Sequence, residues 1–143
     1  MTDTANDALL SRWFDAPIEV VWAAFTDPAQ VARWYGPEAV TVDPASVQIG
    51  DQAGGPWALT MRVGDMTMPL AGTITEVTPP TRLVVTDAMP DGTLVTMTVD
   101  LAEEDGGTRL SLRQGPFPVE AAAGAETAWG QAADKLAALL AGR

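Results

Sequence analysis

From residue 39 to about residue 115 the sequence alternates apolar and polar side chains with a period of two. That period belongs to strands that bury one face and wet the other, and it leaves few folds open. "WALTMRV" sets Trp57, Leu59, Met61 and Val63 against Ala58, Thr60 and Arg62. "MTMPLAGTITEV" places Met66, Met68, Leu70, Gly72 and Ile74 on one face and mostly Thr on the other. "RLVVTDAM" is the next strand, and "LVTMTVDL" sets Val95, Met97, Val99 and Leu101 against Thr96, Thr98 and Asp100. "RLSLRQ" closes the run with Leu110 and Leu112 inward. The breaks are turn signals: Gly64-Asp65, with Gly first as a type II′ turn prefers, then Pro79-Pro80, Pro90-Asp91-Gly92 and "EEDGGT". Val40 and Val42 form a short strand before the turn-rich bridge "DPASVQIGDQAGGP". The pattern predicts an antiparallel meander with one wet face.

Helical patterns flank it. Residues 9–14 alternate as a first strand, and Pro17 then opens a helix whose Ile18, Val21, Trp22 and Phe25 form one apolar stripe. Asp27 can cap and Pro28 can open a second, short helix carrying Val31 and Trp34, stopped by Gly36 and Pro37. A tail over residues 118–140 reads as one long helix, with Val119, Ala122, Trp129, Ala133, Leu136 and Leu140 on one side. Gly124 and Gly130 weaken it, each by about 1 kcal/mol relative to Ala. With 143 residues the chain makes one domain, residues 1–143, of α+β layer architecture: a single sheet with a helix pressed on one face.

Composition narrows the chemistry. The chain has no His and no Cys, so Ser-His-Asp and Cys-His triads, His metal sites and disulfides are all excluded. Proton transfer would require a shifted carboxylate, Lys or Tyr. A formal charge of -11 opposes binding to nucleic acid or to anionic membranes. No apolar run reaches the length of a membrane span, and "MTDTANDALL" lacks a signal-peptide pattern, so the expected location is the cytoplasm, with no membrane insertion. No metal or organic cofactor is expected.

Several segments carry a family resemblance: "FDAPIEVVWAAFTDPAQVARWYGP", then Gly72 with "EVTPPTRLVVT", then "DGGTRLSL", and finally "WGQAADKLAALL". In these, and in their order along nearly the whole chain, the sequence resembles the activator-of-Hsp90-ATPase-homologue-like (AHSA1-like) family of the START/Bet v 1-like (SRPBCC) superfamily. The resemblance implies a helix-grip fold: a curved antiparallel sheet wrapped around a long C-terminal helix, with two short helices after the first strand and a cavity between sheet and helix. It also implies a range of roles, from carriers of lipids and hydrophobic ligands to polyketide cyclases and dehydratases. The eukaryotic co-chaperone meets Hsp90 through an additional N-terminal domain, whereas this sequence starts at the first strand, so Hsp90 ranks last among expected partners. Where members often read Gly-Trp followed by Leu in the last helix, this chain has Ala128-Trp129 followed by Ala133. Where a strand often ends Thr-Trp, this one ends Thr86-Asp87. If those positions face inward, the cavity is expected to be roomier and more polar at one point than in relatives.

Candidate site residues follow from chemistry and position. Met61, Met66, Met68, Met89 and Met97 on neighbouring strands would give an adaptable apolar lining, with Leu59 beside them, although Met at such positions is core more often than not. Trp57 and Trp129 are either core pillars or pocket walls, while Trp34 and Tyr35 are expected to border an entrance. Ala133 is expected to face the same space. Among the acids Asp87, Asp65 and Glu76, a solvated strand end is the ordinary reading, and Asp87 is the best exception because it follows an apolar run. Arg62 and Arg33 could anchor an anion but read more readily as exposed. Three functions stay open at this point. The first is a binding protein for a small apolar molecule. The second is a cofactor-independent cyclase, dehydratase or isomerase using Asp87 and Tyr35, and the third is a stress or Hsp90-associated module. Either a monomer or a homodimer fits.

Overall fold

In the computed structural model, residues 5–88 and 92–142 are described. The expected turn at Pro90-Asp91 and the candidate Met89 lie outside them. The elements run β1 (Ala5–Phe14), α1 (Ile18–Thr26), α2 (Pro28–Trp34), β2 (Thr41–Val42), β3 (Gln48–Ile49), β4 (Pro56–Val63), β5 (Met66–Thr78), β6 (Arg82–Ala88), β7 (Leu94–Glu104), β8 (Gly107–Pro118) and α3 (Val119–Ala141). They form one curled antiparallel sheet in the order β1-β8-β7-β6-β5-β4-β2, with β3 also paired to β4, and α3 lies in its concave face. This is the helix-grip architecture.

Local chemistry explains the boundaries. Val63 pairs with Met66 across Gly64-Asp65, and Gly64 has φ +60°, the backbone that a type II′ turn demands at its first central residue. Pro17 and Pro118 sit one residue outside their helices, as caps, and the Pro17 carbonyl takes the N–H groups of Val20 and Val21. Asp27 caps α2 through a 3.1 Å hydrogen bond from the Ala29 N–H. Asp43 does the same for a 3-10 turn over Pro44–Ser46, inside the turn-rich bridge. In α1, Ile18, Val21 and Phe25 are buried, while Trp22 is only half-buried and Ala24 takes its expected place in the core.

Tryptophans tie the helices to the sheet. The C-terminal turn of α1 leaves carbonyls without helical partners. The Trp34 indole donates to the Ala24 carbonyl at 2.7 Å, and the Trp57 indole donates to the Phe25 carbonyl at 3.1 Å. β1 is an edge strand, which invites pairing with foreign chains. Here α3 covers it: Glu126 accepts the Leu9 N–H at 2.9 Å, and Asp134 pairs with Arg12.

On α3, Ala122, Trp129, Ala132, Ala133, Leu136 and Leu140 are buried. Gly124 and Gly130 would bring an added Cβ within 4 Å of nothing. Each therefore costs helix stability without a packing return, so Gly124→Ala and Gly130→Ala are each expected to stabilise the fold by about 0.5–1 kcal/mol. Urea unfolding at constant m-value measures it.

Candidate functional site

The space between sheet and α3 is divided into a packed aromatic region and a small open cavity. Phe25, Trp34, Tyr35, Trp57 and Trp129 make the packed part. Trp34 meets Phe25 edge-on with ring centres 4.8 Å apart, and Tyr35 lies 5.2 Å from Trp57 and 5.6 Å from Trp129. Such tilted and T-shaped contacts add to the area each ring buries. The cavity begins where this packing ends, at the far side of Tyr35 and Trp129. It measures about 140 Å³.

Its walls come from four places. Tyr35, Gly36 and Pro37 follow α2, Met61 comes from β4, Gln114 from β8, and Ala125, Ala128, Trp129 and Ala132 from α3. Gly36 has φ +89°, and a Cβ there would sit 2.8 Å from Val40 Cγ1, so only glycine turns the chain sharply enough to form this lip. The lip is clamped from α3. Lys135 Nζ donates to the carbonyls of Pro37 at 3.2 Å and Val40 at 3.1 Å, and Gln131 accepts the Glu38 N–H at 3.0 Å. Burial lowers the Lys135 pKa, opposed by nearby Glu38.

Two polar residues meet this wall. The Trp129 indole donates to Gln114 Oε1 at 2.8 Å, which fixes the orientation of the Gln114 amide. Tyr35 is 7% exposed, and its pKa is raised first by burial and then by the charge of Asp87. Asp87 is 4% exposed, and its Oδ1 has no hydrogen-bond partner among the described residues. Burial raises its pKa from the ordinary 3.8 to about 6. Asp87 pairs across the sheet with Gly72, and a Cβ at Gly72 would lie 2.4 Å from Asp87 Oδ1. The missing side chain at Gly72 is what admits the carboxylate.

The candidate residues therefore separate. Tyr35, Met61 and Trp129 come together on the cavity wall. Asp87 is buried, and its charge acts on Tyr35, but it does not line the cavity. Trp34, expected at an entrance, is 1% exposed and works as a core pillar, because its indole is taken up by the end of α1. Trp57, Leu59, Met97 and Ala133 are likewise buried in the core. Met66 and Met68 lie at the β4–β5 hairpin tip, 69% and 40% exposed, since β5 there runs past the end of β6 and leaves α3 behind. The aromatic cluster fills much of the space between sheet and α3, and Ala133 is buried in the core. Asp65 is exposed in its turn, Glu76 pairs with Arg82 at 3.2 Å, Arg62 with Asp43 at 3.6 Å, and Arg33 sits on the outer surface of α2.

Three wall features escaped the sequence reading. Ala125, Ala128 and Ala132 stand at i, i+3 and i+7 on α3, a small-residue stripe beside the bulky one. Gln114 continues the inward series Leu110, Leu112 as its one polar member, which was a readable signal. Pro37, a helix stop in the sequence, also lines the cavity. Among the described residues, no helix is long and apolar enough to cross a membrane, and no group of three or more acidic side chains could hold a metal ion.

Comparison with known proteins bears on this geometry. No protein of curated function matches the chain. Protein CV1439 from Chromobacterium violaceum superposes with a TM-score of 0.83 at 27% identity, over 94% of this chain and 96% of its own. The AHSA1 protein from Silicibacter pomeroyi gives 0.81 at 27% identity, over 95% and 98%. A Rhodobacter sphaeroides protein gives 0.84 at 23% identity, over 100% and 97%, a likeness of fold alone. The sequence model of the family described as "Activator of Hsp90 ATPase homolog 1-like protein" matches residues 15–141. Wall, lip and C-terminal helix all fall within that match, and the chain belongs to this AHSA1 family of the SRPBCC superfamily.

Proposed function

We propose that the protein binds a small apolar molecule in the cavity between α3 and the Tyr35–Met61 wall. The observation that carries this is the wall itself: a stripe of alanines beside Trp129 on α3, with Tyr35, Met61 and Gln114 from other elements, lining about 140 Å³. An apolar cavity of about 150 Å³ is large enough for benzene, so one six-membered ring sets the scale of the ligand. Ring compounds of this size are expected to bind with Kd between about 10 µM and 1 mM, within the limits of binding energy per atom. Family membership agrees with a ligand-binding role, and equally with an Hsp90-activator-like one. The absence of cysteine accords with a reducing cytoplasm.

Calorimetric titration with cumene or indole tests the proposal. Saturable binding at one site is expected, weakened at least about 10-fold in Ala128→Leu, whose longer side chain grows into the cavity. Absence of binding to the wild-type protein, or equal binding to the filled variant, would overturn it.

A second reading has its own observation. Asp87, buried with an unpartnered oxygen and a pKa near 6, is suited to give and take a proton near neutrality. That reading makes the protein an enzyme of cyclase, dehydratase or isomerase type, in which Asp87 acts with Tyr35, the cavity residue whose phenol feels its charge. Loss of all turnover in Asp87→Asn with folding intact would favour it, and unchanged rates would remove it.

A further inference from the structure

The polar edge of the cavity selects a chemical class of ligand. An indole N–H can only donate, so its 2.8 Å contact makes the oxygen of the Gln114 amide the acceptor. The NH2 is then the free edge of that amide, and among the described residues it meets no protein acceptor. Gln114 lines the cavity, so this donor pair stands at its wall. Tyr35 supplies the second polar group. Burial and the neighbouring Asp87 charge both disfavour its phenolate, so it stays an O–H donor across the ordinary pH range. Among the described residues, no basic side chain lines the cavity.

From two donors, no cation and an apolar remainder, we infer that the cavity takes a small, neutral, planar molecule bearing a carbonyl oxygen. The inference rests on the ligand-binding reading above and deepens it. The carbonyl accepts from the Gln114 NH2, and the ring lies among Met61, Trp129 and Ala128. A carboxylate of the same shape is disfavoured, because the Asp87 charge and the net charge of -11 repel it with nothing on the wall to compensate. A pure hydrocarbon leaves the amide donors desolvated and unmet. Gln114 is thus a specificity-determining residue, and Trp129 is the residue that positions it.

The test compares four probes of matched heavy-atom count: acetophenone, cumene, benzoate and 1-phenylethylamine. Acetophenone is expected to bind about 5- to 10-fold more tightly than cumene, the gain of one net hydrogen bond. Benzoate is expected to bind weakest. In Gln114→Leu the preference for acetophenone over cumene should fall to about 1. Gln114→Glu at pH 8 keeps an acceptor for the Trp129 indole while removing the NH2, and should abolish the preference with the fold undisturbed. If cumene binds and acetophenone binds no better, the inference fails and the cavity reading survives. If neither binds, both fail. Tightest binding by the amine or by benzoate, or a preference that persists in both variants, also overturns the inference.

Discussion

Replacing Asp87 by Asn is expected to raise stability at pH 8 by about 1–2 kcal/mol and to leave it nearly unchanged at pH 5. The carboxylate is buried, and its Oδ1 has no partner among the described residues, so its charged form is penalised in the folded protein. Its pKa accordingly stands near 6, above the ordinary 3.8. Between those values the folded state holds more protons than the unfolded chain, and stability falls as pH rises. Below 3.8 the penalty is absent, and above about 6 it is complete, at about 3 kcal/mol in full. About half of that separates pH 5 from pH 8. Asparagine still buries an amide, which returns part of the gain, but it carries no charge to desolvate. Urea unfolding at the two pH values measures the effect, both above the sequence isoelectric point near 4.1. A variant less stable than wild type at pH 8 would mean that the carboxylate has a partner that Asn cannot replace.

The second large effect is at Gly72. A Cβ there would stand 2.4 Å from Asp87 Oδ1, 2.7 Å from Val85 Cγ1 and 2.9 Å from the Trp57 carbonyl oxygen. Real Cβ atoms do not approach so closely, and the last neighbour is backbone held by the β4–β5 ladder, where Trp57 pairs with Gly72 itself. Gly72→Ala is expected to cost about 2–3 kcal/mol and to lower Tm by roughly 10 °C. Adding Asp87→Ala should restore only part of this, since Val85 and the Trp57 carbonyl remain. A thermal melt indistinguishable from wild type would show that the sheet gives way there more readily than its pairing implies. Gly124→Ala, of opposite expected sign, is the matched control.

The two glycines show why the sequence disclosed the fold more fully than the site. Strands announce themselves locally: the alternation in "WALTMRV" and "LVTMTVDL" follows from each strand having one buried face, and the observed β4 and β7 bear it out. Helix starts are equally local, since Asp27-Pro28 needs no distant residue to make a cap. The site is built from long-range meetings. Met61 and Met68 pair directly across the β4–β5 hairpin and look alike in sequence, yet one lines the cavity and the other is exposed. What separates them is where α3 crosses, and no periodicity within β5 encodes that. Trp34 and Tyr35 are neighbours with opposite fates for a similar reason. The end of α1 claims the indole, and the phenol is left facing the cavity. Asp87 stands out in the sequence because a carboxylate closing an apolar strand is a local anomaly, and it is 4% exposed.

The claim that a ligand sits against Tyr35, Met61 and Trp129 is tested most directly by locating one. Crystals soaked in bromobenzene, read by the anomalous signal of bromine, would show where a ring binds. The expected result is one principal bromine site inside the cavity, within van der Waals contact of Met61 and Ala128, lost in Ala128→Leu. Bromine found only on the outer surface, or nowhere at saturating concentration, would contradict the account.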